Sequence, residues 1–207
     1  MISSVPNPTD SSVVAIFDFD GTLTQRDSLL PFLRAIAGQR RFVIGLVCLS
    51  PMLVRYSLKL IPNWQAKETM LTYFLAGMPA ARLQSFAQHF ANQTLPQLLR
   101  PEAIERLCWH QQQGHRTLIV SASPEAYLRP FADLMKIDQV IGTRLEIEQG
   151  ALTGRISGKN CYGPEKVARL SDWIDRSQNI LYAYGDSRGD RELLAIAQFS
   201  YYRKFQD

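Results

Sequence analysis

Val13-Val14-Ala15-Ile16-Phe17-Asp18-Phe19-Asp20-Gly21-Thr22 decides the reading of this chain. Its first five residues form a short apolar run suited to a central parallel strand, and two carboxylates end it abruptly. In open α/β sheets, ligand chemistry gathers at the carboxyl ends of such strands. Extended geometry would point Asp18 and Asp20 broadly the same way, and Gly21 permits the turn by which the chain leaves the sheet. Two acids so placed need metal or phosphate chemistry to justify them. A pair of solvated turn carboxylates would not account for the whole Asp-Phe-Asp-Gly-Thr-Leu-Thr string.

Working outward, 207 residues at 46% hydrophobic allow one substantial α/β core and a smaller insert. Cys48, Cys108 and Cys161 are too few and too scattered for a disulfide framework, and none forms a Cys-x-x-Cys pair. A reducing cytoplasm is the expected location. Met1 to Ser12 is polar, carries Pro6 and Pro8, and reads as a loose arm rather than a secretory leader. The net charge of +4 is no nucleic-acid signature by itself, and no nucleic-acid partner is expected. The excess is local: Arg26, Arg34, Arg40, Arg41, Arg55 and Lys59 stand against the single acid Asp27 between Gln25 and Ile61.

After Thr24 the pattern changes to long helical stretches, Leu29 to Leu60 and Gln65 to Leu99, broken at Ser50-Pro51, Ile61-Pro62-Asn63 and Met78-Pro79. A helical bundle inserted after the first strand follows. Beyond it come a helix over Glu102 to Gln113, a second strand over Arg116 to Val120, and a helix from Pro124 toward Met135. Arg144 to Gly154 alternates on either side of Gln149-Gly150, a hairpin appended to the core. A helix from Pro164 to Asp175, a strand over Ile180 to Tyr184 and a helix from Asp190 to Ala197 complete a parallel sheet framework. The ending Tyr201-Tyr202-Arg203-Lys204-Phe205 carries no clear chemistry.

The acidic string resembles the signature of the haloacid dehalogenase-like (HAD) superfamily of phosphohydrolases, Asp-x-Asp-x-Thr after the first strand. Its further motifs appear in order: Ser121 after the second strand, Lys166 in Cys161-Tyr162-Gly163-Pro164-Glu165-Lys166-Val167, and Gly185-Asp186-Ser187-Arg188-Gly189-Asp190 after a later strand. The resemblance covers most of the chain. It implies an α/β fold, a doubly wound Rossmann-like parallel sheet, with a helical C1 cap of the subfamily IB type inserted after the first strand. Residues 1–24 and 101–207 would be the core domain and 25–100 the cap.

By that resemblance Asp18 is the nucleophile that becomes an aspartyl-phosphate, and Asp20 is the general acid, then base. Ser121 and Lys166 bind the phosphoryl oxygens, Lys166 damping repulsion between Asp18 and the ester. An oxygen-only donor set with no His/Cys cluster suits Mg²⁺. The resemblance assigns that ion Asp18, the Asp20 backbone carbonyl and Asp186, with Asp190 supporting the ion or orienting Lys166. Asp20 itself argues for rapid dephosphorylation, since related ATPase pumps carry Thr there.

The implied substrate is a small or lipid phosphomonoester. Ser121-Ala122-Ser123-Pro124 departs from the Ser-Gly-Gly string of phosphoserine phosphatases, and Asp27 stands near their substrate-reading Glu. A phosphatidylglycerophosphate-like ester is therefore favoured over phosphoserine. The apolar run Phe42 to Val54 is too short to span a bilayer at about 1.5 Å per residue. It reads as cap packing first, and second as an interfacial element flanked by Arg40, Arg41, Arg55 and Lys59 that touches anionic membrane at its inner face. Other readings of the chain are a non-catalytic phospho-ligand or membrane-binding protein on the same fold, and a serine esterase using Ser187. His89, His110 and His115 read as surface or helix-packing residues. Oligomeric state is left open by the sequence.

Overall fold

The apolar runs form a five-stranded, fully parallel sheet in the order β3-β2-β1-β6-β7. Its strands are β1 (Val13–Phe17), β2 (Arg116–Pro124), β3 (Gln139–Thr143), β6 (Ile180–Gly185) and β7 (Phe199–Tyr202). The computed structural model describes residues 12–206. The arm expected over Met1 to Ser12 lies outside the described residues, except for Ser12.

Side chains alternate across the sheet, as the two-residue period of a strand requires. Val13, Ala15, Phe17, Ile119, Tyr182 and Tyr184 join one buried cluster, while Val14, Ile16, Leu118, Val120, Leu181 and Ala183 join another on the opposite face. Both faces are covered, which is why β1 reads as a continuous apolar run. Each large side chain removed from water here contributes about 1.5–3 kcal/mol. The chain runs outward from β1 through β2 to β3, then returns to the other side of β1 for β6 and β7. The strand order therefore reverses between β1 and β6, and the acidic strings after these two strands emerge side by side at that switch point.

Between β1 and β2 lie α1 (Leu29–Cys48, kinked at Gly38), α2 (Ser50–Ser57), α3 (Asn63–Leu75) and α4 (Ala80–Gln93), followed by α5 (Pro101–Gln112). The chain leaves for this insert and returns through a narrow neck. Thr24 and Leu99 form an antiparallel bridge, Gln25 N donates to Leu98 O at 2.8 Å, and Arg100 N donates to Leu23 O at 2.9 Å. Phe32, Leu33, Phe74, Leu83 and Phe90 from the insert share one buried cluster with Phe17, Phe19 and Tyr127. The remaining helices are α6 (Glu125–Met135), α7 (Pro164–Leu170) and α8 (Arg191–Ala195).

Three sequence expectations change. The hairpin forms as β4 (Leu145–Glu148) and β5 (Ala151–Ile156), with positive φ at Gln149 and Gly150 as its two-residue turn demands. It docks on the insert rather than on the core alone: Thr72 Oγ1 donates to Gly154 O at 3.1 Å, Ile156 N to Glu68 Oε1 at 3.0 Å, and Gly77 N to Leu152 O at 2.8 Å. The helix from Pro164 stops at Leu170 instead of Asp175, where Ser171 Oγ turns back to the carbonyls of Val167 and Ala168. The C-terminal Tyr pair, which carried no reading, belongs to the edge strand β7. Tyr201 stacks on Tyr184 at 4.8 Å and Phe199 on Tyr182 at 4.4 Å, so cross-strand aromatic packing creates this strand.

Candidate active site

Asp18 is the first residue beyond β1. Its amide still donates to Tyr184 O at 2.9 Å, so the sheet ladder itself holds the extended backbone that presents the carboxylate. Lys166, in the first turn of α7, is 2% exposed and donates to Asp18 Oδ1 and to Asp190 Oδ1, both at 2.6 Å. Asp190 is wholly buried, and its second oxygen accepts from Asp186 N at 3.2 Å, Ser187 N at 3.0 Å and Ser187 Oγ at 2.8 Å. The turn after β6 thus fixes Asp190, Asp190 fixes Lys166, and Lys166 fixes the carboxylate of Asp18.

Burial pushes Asp18 up to about 7, against the Lys166 ammonium, which lowers it, with Asp190 and Asp20 adding to the rise. Burial alone would lower Lys166, yet the carboxylates of Asp18 and Asp190 hold it above the ordinary lysine value. The two directions are compatible, because two carboxylates share one ammonium and the cluster keeps a negative charge in excess.

Asp20 faces a different set of partners. Its Oδ1 accepts from Ser28 N at 2.8 Å and its Oδ2 from Ser123 Oγ. Tyr127 OH donates to Ser123 Oγ at 2.8 Å and lies 2.9 Å from Ser28 Oγ. These hydrogen bonds tie together the turn after β1, the start of the insert, the end of β2 and α6. Burial, then the charge of Asp27, raises Asp20, while the hydrogen bonds from Ser123 and Ser28 oppose the rise. The two acids therefore have separate environments, one ion-paired and one hydrogen-bonded to a backbone amide and a hydroxyl.

Asp186 completes the acidic edge. Oxygens of Asp18, Asp186 and Asp190 lie within 4.8 Å of one another. Asp186 Oδ1 is buried with no hydrogen-bond partner, and burial, then Asp190, raises its pKa. A buried carboxylate oxygen left open beside two other carboxylates is a fitting ligand for a hard divalent cation. The Asp20 side chain stands outside this group, its oxygens being taken by Ser28 and Ser123. Gly21 has φ +81°, and a Cβ there would overlap the Asp186 carboxylate, lying 2.7 Å from its Cγ. The close approach of the β1 and β6 turns thus depends on glycine at this position.

Ser121 is buried at the end of β2 and accepts from Ser123 N at 3.1 Å. Asp27 is close enough for its charge to raise Asp20. It is exposed, and its Oδ1 accepts from Leu30 N at 3.1 Å, capping the first turn of α1. Ser187 caps the turn leading to α8, donating to Asp190 and accepting from Gly189 N at 3.1 Å, with no histidine among its hydrogen-bond partners. An esterase triad on Ser187 is therefore not formed. Two of the histidines are core residues: His110 and His115 meet Nδ1 to Nδ1 at 2.8 Å, and His110 Nε2 lies 2.9 Å from Tyr184 OH. His89 is exposed.

Sequence reasoning missed Ser28, Ser123, Tyr127 and Lys67. Ser123 had a signal, its place two residues after Ser121 on an extended segment. The other three had none, since Ser28 meets Tyr127 across 99 positions and Lys67 meets Ala122 across 55. Lys67, on α3, donates to Ala122 O at 2.9 Å and to Asn160 Oδ1 at 3.3 Å.

A family model described as haloacid dehalogenase-like hydrolase matches residues 15–195. The chain is 37% identical over 195 residues to Protein CicA of Caulobacter vibrioides, covering 94% of this chain and 87% of that protein. It is 27% identical over 187 residues to a probable phosphatase of Mycobacterium tuberculosis, covering 87% of this chain and 64% of that relative. Among solved structures, a protein of unknown function from Bordetella pertussis matches with a TM-score of 0.77 at 25% identity, over 90% of this chain and 87% of that one.

Proposed function

Because the chain belongs to the haloacid dehalogenase-like hydrolases and is an enzyme of phosphatase type, we propose that it is a Mg²⁺-dependent phosphomonoesterase acting through Asp18. The observation that carries this reading is the separation of the two acids. Asp18 is paired with Lys166 inside the cluster it forms with Asp186 and Asp190, while Asp20 stands outside that cluster and accepts from Ser28 N and Ser123 Oγ. A nucleophile and a proton donor need this difference.

In the proposed reaction an Asp18 oxygen attacks phosphorus and the P–O bond to the alcohol breaks. Asp20 gives its proton to the leaving oxygen, so the alcohol departs neutral. Asp20, now ionised, takes a proton from a water that attacks the aspartyl-phosphate, which releases inorganic phosphate, returns Asp18 as a carboxylate and leaves Asp20 protonated again. Lys166 and Ser121 receive phosphoryl oxygens. Asp18 and Asp186, with the Asp20 carbonyl, would hold Mg²⁺, and Asp190, its oxygens engaged by Lys166 and the turn, supports that set. Bound there, the ion supplies positive charge to the phosphoryl group and favours ionised Asp18. The insert over residues 25–100 acts as the cap that excludes bulk water.

The alcohol is a small or lipid one, phosphatidylglycerophosphate-like rather than phosphoserine. Two features support this. Ser121-Ala122-Ser123-Pro124 departs from the Ser-Gly-Gly string of phosphoserine phosphatases. On the insert, Val47 (67% exposed), Ile44, Val54, Leu58 and Leu60 share the surface of α1, α2 and the turn after α2 with exposed Arg40, Arg41, Arg55 and Lys59, a combination suited to peripheral contact with anionic lipid. No helix of the described residues is long and apolar enough to cross a membrane.

The test is phosphate release from phosphoserine, sugar phosphates, nucleotides and phosphatidylglycerophosphate, with Mg²⁺ or EDTA and with Asp18→Asn as control. Metal-dependent release that the variant loses is the expected result. Retained phosphate binding without any release would instead favour a non-catalytic phospho-ligand protein.

A further inference from the structure

Lys67 is the only lysine of α3, and it reaches from the insert to the C-terminal part of β2. Its ammonium bonds the carbonyl of Ala122, the residue between Ser121 and Ser123, and the side-chain oxygen of Asn160. The same two acceptors also meet Thr143 Oγ1, at 2.5 and 2.9 Å. Helix α3 is itself seated on the hairpin through Glu68 and Thr72. Burial lowers Lys67, while Asp20 and Asp27 oppose that change. Yet no carboxylate lies within 4.0 Å of its nitrogen in any ion pair formed by the described residues.

The charge of the site explains why an extra cation belongs there. Asp18, Asp20, Asp186 and Asp190 face one core lysine, and Lys166 is already divided between two of them. A desolvated ammonium with only neutral acceptors remains available to an anion, as Lys166 does not. We infer that Lys67 is a substrate-binding residue that donates to the phosphoryl group of the ester, so that phosphate affinity depends on the insert being seated on the core. The inference rests on the phosphatase reading for its ligand, a phosphate monoester, and adds a contact supplied by the insert.

Inorganic phosphate is the probe. Binding of phosphate in the presence of Mg²⁺, and KM and kcat for the best ester of the panel, are compared for wild type, Lys67→Met and Lys67→Arg, together with unfolding midpoints. Removing one charge-assisted hydrogen bond to phosphate weakens binding by about 10- to 100-fold. The expected result is that Lys67→Met raises KM and weakens phosphate binding by the same factor, with Lys67→Arg recovering part of both and the ligand-free midpoint not falling. If Lys67→Met does not fold, Lys67→Gln takes its place. Unchanged phosphate binding with a lowered midpoint would overturn the inference and leave Lys67 a structural tether. The binding readout needs no turnover. A wild type that binds phosphate through Lys67 but hydrolyses no ester would therefore sink the catalytic reading and support this one.

Discussion

Replacing Asp18 by Asn should abolish turnover and, without metal, make the folded protein more stable relative to wild type as pH rises. The folded protein holds the Asp18 carboxyl at about 7 against an ordinary 3.8. Between those values the folded state keeps a proton that the unfolded chain has released. This group's contribution to stability is thus fully present below about pH 4 and is lost as pH climbs to about 7. At pH 8 the whole shift of about three units counts against folding, whereas at pH 5 only about one unit does. At about 1.36 kcal/mol per unit the difference is on the order of 3 kcal/mol. Asn does not titrate, so the stability gap between variant and wild type should move in favour of Asn by about that amount from pH 5 to pH 8. Losing one partner of Lys166 shifts the gap at both pH values but not its slope, because Asp190 still receives the ammonium at 2.6 Å. The assay is urea unfolding of both proteins in EDTA at the two pH values. Mg²⁺ at pH 8 should then restore wild type, by about 2.7 kcal/mol at a hundredfold excess over its dissociation constant. A gap that does not change with pH would refute the reasoning, since it would mean that Lys166 keeps Asp18 ionised throughout.

Gly21→Ala should cost at least about 1 kcal/mol from its positive φ alone, and its Cβ must displace the Asp186 carboxylate. The half-saturating Mg²⁺ for activity should rise by about 10- to 100-fold; an unchanged Mg²⁺ dependence would separate Asp186 from the metal. Ser123→Ala removes a hydrogen bond that lowers Asp20, so the basic limb of kcat/KM against pH should move to higher pH, as a proton donor of raised pKa requires. A profile that keeps its basic limb would assign that limb to another group. Flotation on anionic vesicles at low salt should recover wild type, and Arg40→Glu with Arg41→Glu should abolish it while leaving hydrolysis of a water-soluble ester intact. Equal flotation of both proteins, or of neither, would end the membrane reading.

Asp18 and Asp20 were legible because the string that singles them out is local, whereas Lys166, Asp186 and Asp190 were carried by the resemblance to the haloacid dehalogenase-like superfamily. An apolar strand must end somewhere, the end of a parallel strand is where ligands are met, and acids there carry a signal that a few adjacent residues contain. The insert was legible for a similar reason, since helical periodicity broken by proline needs only a short window. Edge strand β7 was not, because four residues without strong alternation become a strand only when Tyr201 and Phe199 find Tyr184 and Tyr182 beside them. The docking of the hairpin on α3 was equally hidden, as it depends on backbone groups that every residue has.

The sequence by itself determined the sheet class, the place of the insert and the acids at the strand ends, all of which follow from patterning over a few neighbouring positions. Only the tertiary structure decided that Asp20 is bound by Ser123 and that Lys67 crosses from the insert to Ala122. Those facts rest on hydrogen bonds between residues far apart in the chain. Their partners are chosen by how helices and sheet pack, and no local composition records that choice.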